Sequence, residues 1–370
     1  MHLGKFHAAI TDMVTEYSGR NINEKIQGVI QSLDSLSSNP GNSDIAANFR
    51  AQLEILREQL ARSTLNKPYP TLAALLDSID ARKYIGDRLF QSIEDIIAKN
   101  GMTPQLAATA LRELLGKVSA FYQDVSAIDA AFSRLQVEYE DIEPGEGEIG
   151  ISIPEPAGER LLSDLAATAK AWNKALRPFV EIADPEHNPI AVRTISSSDW
   201  QFYLTAAPAV YLALSGAVSQ MNDLLRKLIE TRQLIAQLTE KGMSAAGTAA
   251  VAAEADSMLE GGTRALAEKI VNDNPVADEG RANELKTEVT SSLKFIAREM
   301  ATNVKIEIRY LPPDPPKMDV PISEEEAATI KRIEDLIETA AQIGRNMDLL
   351  RLDSRDQELL NLPAPDDDVD

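Results

Sequence analysis

Apolar side chains recur along this chain at steps of three and four residues. Leu3, Phe6, Ile10, Met13 and Tyr17 form one run, and Ile22, Ile26, Val29, Leu33 and Leu36 form the next. Residues so spaced share one face of a 3.6-residue helix, so both runs predict amphipathic helices. Asn39-Pro40-Gly41-Asn42 interrupts the pattern. A third helix then carries Ile45, Phe49, Leu53, Leu56 and Leu60, with Ser43 as its cap, and Pro68 and Pro70 close that region.

The longest periodic run starts at Thr103-Pro104, a capping residue followed by proline at the first helical position. Leu111, Leu114, Val118, Phe121, Val125, Ile128, Phe132 and Leu135 follow at alternating steps of three and four, which is a heptad seam. At 1.5 Å per residue such a helix is about 50 Å long. A seam of that length needs a partner helix, from the same chain or from a second copy.

Beyond it the period changes. Glu143-Pro144-Gly145-Glu146-Gly147 is a turn cluster, and Ile149, Ile151 and Ile153 alternate with Gly150 and Ser152 as in a strand. Ile190, Val192 and Thr194 predict a second strand, and Val304, Ile306, Ile308 and Tyr310 a third. Helices are predicted from Leu161 to Phe179, from the capping cluster Ser196–Asp199 through a kink at Pro208 to Gly242, and over 245–272 and 280–300. Leu311 to Pro321 is a proline-stiffened linker, Ser323-Glu324-Glu325-Glu326 a capping box, and Ile330, Ile333, Ile337, Ala340 and Met347 a last helix.

The expected fold is therefore mainly α: a long-helix bundle with a small β-sheet in the middle region. Its expected parts are an N-terminal bundle over 1–140, a helical domain with the sheet over 141–310, the linker over 311–322, a C-terminal helix over 323–360, and an acidic, disordered tail over 361–370.

Composition narrows the chemistry. The formal net charge of −21 opposes binding to a phosphate backbone, so nucleic acid is not an expected partner. There is no cysteine, which excludes disulfides, thiol catalysis and Cys-ligated metals. The chain opens on an amphipathic segment rather than an apolar signal, and a cytoplasmic location is the expectation.

Gly145, Gly147 and Gly150 match a dinucleotide-loop spacing, but a strand follows them, and Glu146 and Glu148 would repel a pyrophosphate, so a turn explains them better. His187 lies in a proline-bounded loop without the spacing of a metal site, and His2 and His7 suggest nothing catalytic. The serines at 196–198 beside Asp199 read as helix caps. Glu138, Glu140, Asp141, Glu143, Glu146 and Glu148 read as a solvated hairpin surface, and the Pro312-Pro313 and Pro315-Pro316 steps as linker.

Trp200 to Asn222 carries no charged side chain. Its apolar residues, Trp200, Tyr203, Leu204, Val210, Tyr211, Leu212 and Leu214, suit either a helix buried inside a bundle or a membrane-inserting one. Burial in a core is the better fit, because Gln201, Thr205, Ser215, Ser219, Gln220 and Asn222 interrupt it. No catalytic, cofactor-binding or metal-binding set emerges, and no cofactor is expected. The function read from the sequence is a non-enzymatic scaffold or adaptor that self-associates along the seam and binds a protein partner. One alternative is a membrane-acting effector that inserts residues 200–222. Another is an enzyme whose site assembles from scattered charges such as Asp278, Glu279, Arg281 and Glu284.

Overall fold

The structure, a computed structural model, describes residues 3–101, 103–140, 142–154, 161–183, 188–196, 200–274 and 278–311, with positions 328, 331, 356, 359 and 360. The fold is mainly α, with a small antiparallel sheet. The chain divides into two compact units, Met1–Asp141 and Ile142–Asp370. His187, Ser197, Ser198, Asp199, the linker prolines and nearly all of the expected C-terminal helix and tail lie outside the described residues.

The first unit holds α1 (Leu3–Gly19), α2 (Ile22–Ser38), α3 (Ser43–Ala61), α4 (Pro70–Ser78), α5 (Gly86–Lys99) and α6 (Pro104–Arg134). Two single turns of 3-10 helix, Thr64–Asn66 and Arg82–Tyr84, lie either side of α4. The cap of α3 is Asn42, one residue earlier than the sequence suggested, its side chain accepting the amides of Asp44 and Ile45. Pro70 opens a helix rather than closing one. It sits in the first turn of α4, where its missing N–H costs nothing.

α6 packs against α1, α2 and α5. It runs antiparallel to α1. Phe6 meets Phe132 with ring centres 5.7 Å apart, Thr11 donates to Asp129 at 2.5 Å, and Tyr17 stacks on Tyr122 at 3.7 Å. Ile10, Met13, Ile26, Val29, Leu56, Leu89, Ile93 and Leu111 are among the fully enclosed side chains of this core. Full burial of an aliphatic side chain of that size contributes roughly 1.5–3 kcal/mol.

The second unit contains β1 (Gly147–Ile153), α7 (Leu162–Ala183), β2 (Ala191–Ser196), β3 (Trp200–Thr205), α8 (Pro208–Glu240), α9 (Ala245–Asp273), α10 (Glu279–Ala301) and β4 (Lys305–Tyr310). The sheet order is β2-β3-β1-β4, antiparallel throughout. α8 lies against β1 and β4 and packs with α7, α9 and α10.

One expectation fails here. Residues 200–222 are not one helix. Trp200–Thr205 is the strand β3, and Pro208 starts α8 instead of kinking it. Trp-Gln-Phe-Tyr-Leu-Thr is dense in the aromatic side chains that favour strands. Ala207, ahead of proline, is held extended at φ −63°, ψ 147°, which separates strand from helix.

Candidate functional site

The sheet has two different faces. Ile149, Ile151, Ile306, Ile308, Phe202 and Leu204 turn to the helices and join their core. The alternate residues make the other face, where the register sets Glu148 opposite Arg309, Gly150 between Glu307 and Tyr203, and Ser152 between Lys305 and Gln201. Alternation of this kind usually marks a solvated face. This one is enclosed: Glu148 is 1%, Glu307 4%, Tyr203 1% and Gln201 9% exposed.

Side chains on this face are linked. The Tyr203 hydroxyl donates to Gln201 Oε1 at 3.0 Å, and Gln201 Nε2 donates to Ser152 Oγ at 3.4 Å. Arg309 lies 4.0 Å from Glu148. Gly150 makes room for Glu307, since a Cβ there would come within 2.6 Å of the Glu307 Cγ. The reading of the acidic run as solvated surface is therefore corrected. Glu138, Glu143 and Glu146 are exposed, Glu140 and Glu148 are buried, and Asp141 is outside the described residues. The strand alternation that places Glu148 was visible in the sequence; the cover over it was not.

The helical core of the same unit also contains polar atoms. Among the described residues, Trp172 Nε1, Ser215 Oγ, both amide atoms of Asn222 and Nη2 of Arg226 are buried without a hydrogen-bond partner. Leu224 rests against Gly262, Glu260 pairs with Lys294 at 3.8 Å, and Trp172 meets Phe295 edge-on at 5.1 Å. At 1.5 Å of rise per residue, these contacts bring Asn222, Thr263, Ser292 and Trp172 to within about a turn of one height in the bundle. Ser215 and Asn222, read only as dilution of an apolar segment, are in fact a stripe directed into the core.

The charged cluster at the start of α10 has a different character. Arg281 makes two bonds to Glu181 of α7, at 2.6 and 2.7 Å, and reaches Glu284 at 2.8 Å and Glu288 at 3.0 Å. Asp278 caps the helix by accepting the Arg281 amide at 3.1 Å. These carboxylates push the Arg281 pKa further above its ordinary value, Glu181 most of all. All five guanidinium donors are engaged, so Arg281 ties α7 to α10 and keeps none for a substrate.

His7 is buried in the first unit, its Nδ1 3.0 Å from the Val137 carbonyl, with Phe132 and Tyr139 edge-on to the ring. Among the described residues, no group of three or more His, Asp or Glu side chains could hold a metal ion. Gly145, at φ 91°, forms the turn that the sequence suggested, and Gly147 begins β1.

The seam of α6 is divided by the fold. Leu111, Val118 and Val125 are buried, and Leu114, Phe121 and Phe132 are half-buried. Ile128 and Leu135 are 37% and 71% exposed, and Tyr139 beyond them is 47% exposed. A straight helix drifts by about 20° per heptad from a 3.5-residue repeat, so a seam that faces neighbours at one end turns away from them at the other.

Of the segment 200–222, Tyr203 lies on the polar sheet face, while Leu204, Val210, Tyr211 and Leu214 are buried in the helical core; Trp200 and Leu212 are half-buried. Among the described residues, no helix is long and apolar enough to cross a membrane. Comparison of the chain with protein-family models, with curated proteins and with solved structures finds no match.

Proposed function

We propose that this protein is a non-enzymatic helical scaffold that self-associates and holds a protein partner. The observation that carries the reading is the uncovered end of the α6 seam. The seam residues Leu111, Val118, Val125 and Phe132 are used inside the first unit, while Ile128, Leu135 and the neighbouring Tyr139 leave apolar surface exposed. Exposed apolar surface costs free energy in water, and a second helix laid along it would recover that cost. The charge cluster around Arg281 supports the same reading, because it is spent on holding α7 to α10.

The test is sedimentation of the purified chain beside Leu135→Glu and Ile128→Glu variants, over about 1–100 µM, where a weak homodimer dissociates. The wild type is expected to gain mass with concentration and the variants to stay monomeric, with unchanged helical circular dichroism. A wild type that remains monomeric throughout removes self-association. The partner-binding half then stands or falls on whether those variants lose a protein that co-purifies with the wild type.

A further inference from the structure

We propose that one end of the helical bundle in the second unit docks a helical segment of a partner protein. That segment carries two adjacent leucines with a carboxylate three residues before the first, and the chain's own Asp356, Leu359 and Leu360 hold the site in its absence. The proposal rests on the partner-binding half of the scaffold reading but uses no residue of the α6 seam, so a failure here and a failure there are told apart.

Contacts within the bundle place this end. Leu224 of α8 rests against Gly262 of α9, and Glu260 of α9 pairs with Lys294 of α10. Counted along the antiparallel helices from those contacts, α10 runs out at Ala301 about level with Gln233, while α8 continues to Glu240 and α9 begins at Ala245. The Trp172–Phe295 contact sets the start of α7 at the same end. Five large apolar side chains are exposed there, namely Leu161, Leu162, Leu234, Met243 and Val251, and Leu162 is 80% exposed. Among the described residues of this unit, the other exposed large apolar side chains, Val192, Ile195 and Leu311, lie in or beside the sheet. Apolar side chains gathered at one end, rather than scattered singly, mark a contact surface.

A piece of this same chain already sits at that end and shows what the site accepts. Asp356, Leu359 and Leu360 are helical, and Leu360 is 1% exposed within the helical core. Arg232 Nη1 donates to the carbonyls of Leu359 and Leu360 at 2.5 and 2.6 Å, and Gln233 Nε2 donates to Asp356 Oδ1 at 2.9 Å. Pro363 has no N–H to offer the Leu359 carbonyl from four residues on, so that acceptor is open to an outside donor. A guanidinium also suits the negative end of a helix. Leu360 thus supplies apolar burial, Arg232 the orientation, and Gln233 the preference for a carboxylate.

The tethered segment leaves the five apolar side chains at this end in water. A partner helix that covers them too binds more strongly than the segment does, and a ligand shifts an occupied site only by such a difference. The segment therefore acts as a built-in competitor that excludes weak partners.

The experiment is fluorescence anisotropy of a labelled synthetic peptide with the sequence of residues 350–362, titrated with the full chain. The Leu360→Ala protein, whose own segment is loosened, is expected to bind it saturably at about 10–100 µM. The wild type should bind at least about tenfold more weakly, because the tethered copy competes at about millimolar effective concentration. Asp356→Ala, which loosens the segment without touching the core, should give a smaller gain in the same direction. Adding Arg232→Ala to Leu360→Ala should weaken the peptide about tenfold, with unchanged helical circular dichroism. The proposal is overturned if neither loosened variant binds the peptide, or if the wild type binds it as well as they do. It is also overturned if the wild type floats with phosphatidylcholine–phosphatidylglycerol vesicles and Leu162→Glu abolishes this, since the apolar end then belongs to a membrane.

Discussion

Tyr211 shows how much one side chain can do in this fold. Its ring is 1% exposed and occupies the space that a Cβ at Gly147 would need, 2.4 Å away. Its hydroxyl donates to the Gly147 carbonyl at 2.7 Å and accepts the Ala206 amide at 2.9 Å. One residue of α8 thereby fixes the start of β1 and the end of the β3 connection. Tyr211→Phe keeps the packing and strands a buried carbonyl and amide, so it is expected to cost about 1–3 kcal/mol in urea unfolding. An unchanged midpoint would mean that water takes the place of the hydroxyl. Asn222 is the opposite case. It is 1% exposed and neither amide atom has a partner among the described residues, so Asn222→Leu, similar in volume, is expected to raise stability by about 1–3 kcal/mol. A loss of stability would show that the amide holds something inside the core.

At the scale of elements, the parts that were legible are those whose burial follows a single period. The helices α1, α2, α3, α6, α9 and α10 have one buried face each and could be read from their spacing. So could β1 and β4, whose inward residues are isoleucines at every second position, whereas β2 keeps Val192 and Ile195 exposed and is irregular between Val192 and Thr194. β3 was not legible. It is the strand between β2 and β1, enclosed on both faces, so Gln201, Phe202, Tyr203 and Leu204 are all buried and no alternation marks it. The helix α4 went unread because Pro68 and Pro70 look like terminators, whereas a proline at the first helical position starts a helix as well as it ends one; α5, with Leu89, Ile93 and Ile96 on one face, was legible by the same spacing as the others. The polar sheet face and the core stripe on α8 were beyond reach for another reason. Their residues, Glu148, Glu307, Ser215 and Asn222, are ordinary surface types in sequence, and only the packing of distant segments buries them.

On the scale of the whole molecule, each unit conceals tyrosines, and this sets how the protein meets alkali. Burial raises the Tyr17 and Tyr122 pKa values in the first unit, where the rings stack, and the effect is larger at Tyr122. In the second unit Tyr211 is pushed up to about 12, mainly by burial, with Glu148 and Glu146 adding to it, and burial also raises Tyr310. A phenol whose folded pKa exceeds its unfolded value of about 10 stabilises the native state fully below pH 10. Above that, the unfolded chain releases protons that the folded chain keeps, so stability falls as pH rises from about 10 towards 12. Because both units carry such groups, the loss is expected in both cores. Unfolding followed by tyrosinate absorbance and by circular dichroism should show a flat stability from neutral pH to about 9, then a decline in which part of the absorbance rise, that of the buried tyrosines, accompanies the loss of helix. Tyr211→Phe tests the assignment within the second unit: it is less stable at neutral pH, but its decline above pH 10 should be shallower, because one of the protons that drives it is gone. A decline of unchanged slope would place the alkaline sensitivity in the stacked Tyr17–Tyr122 pair or at Tyr310 instead.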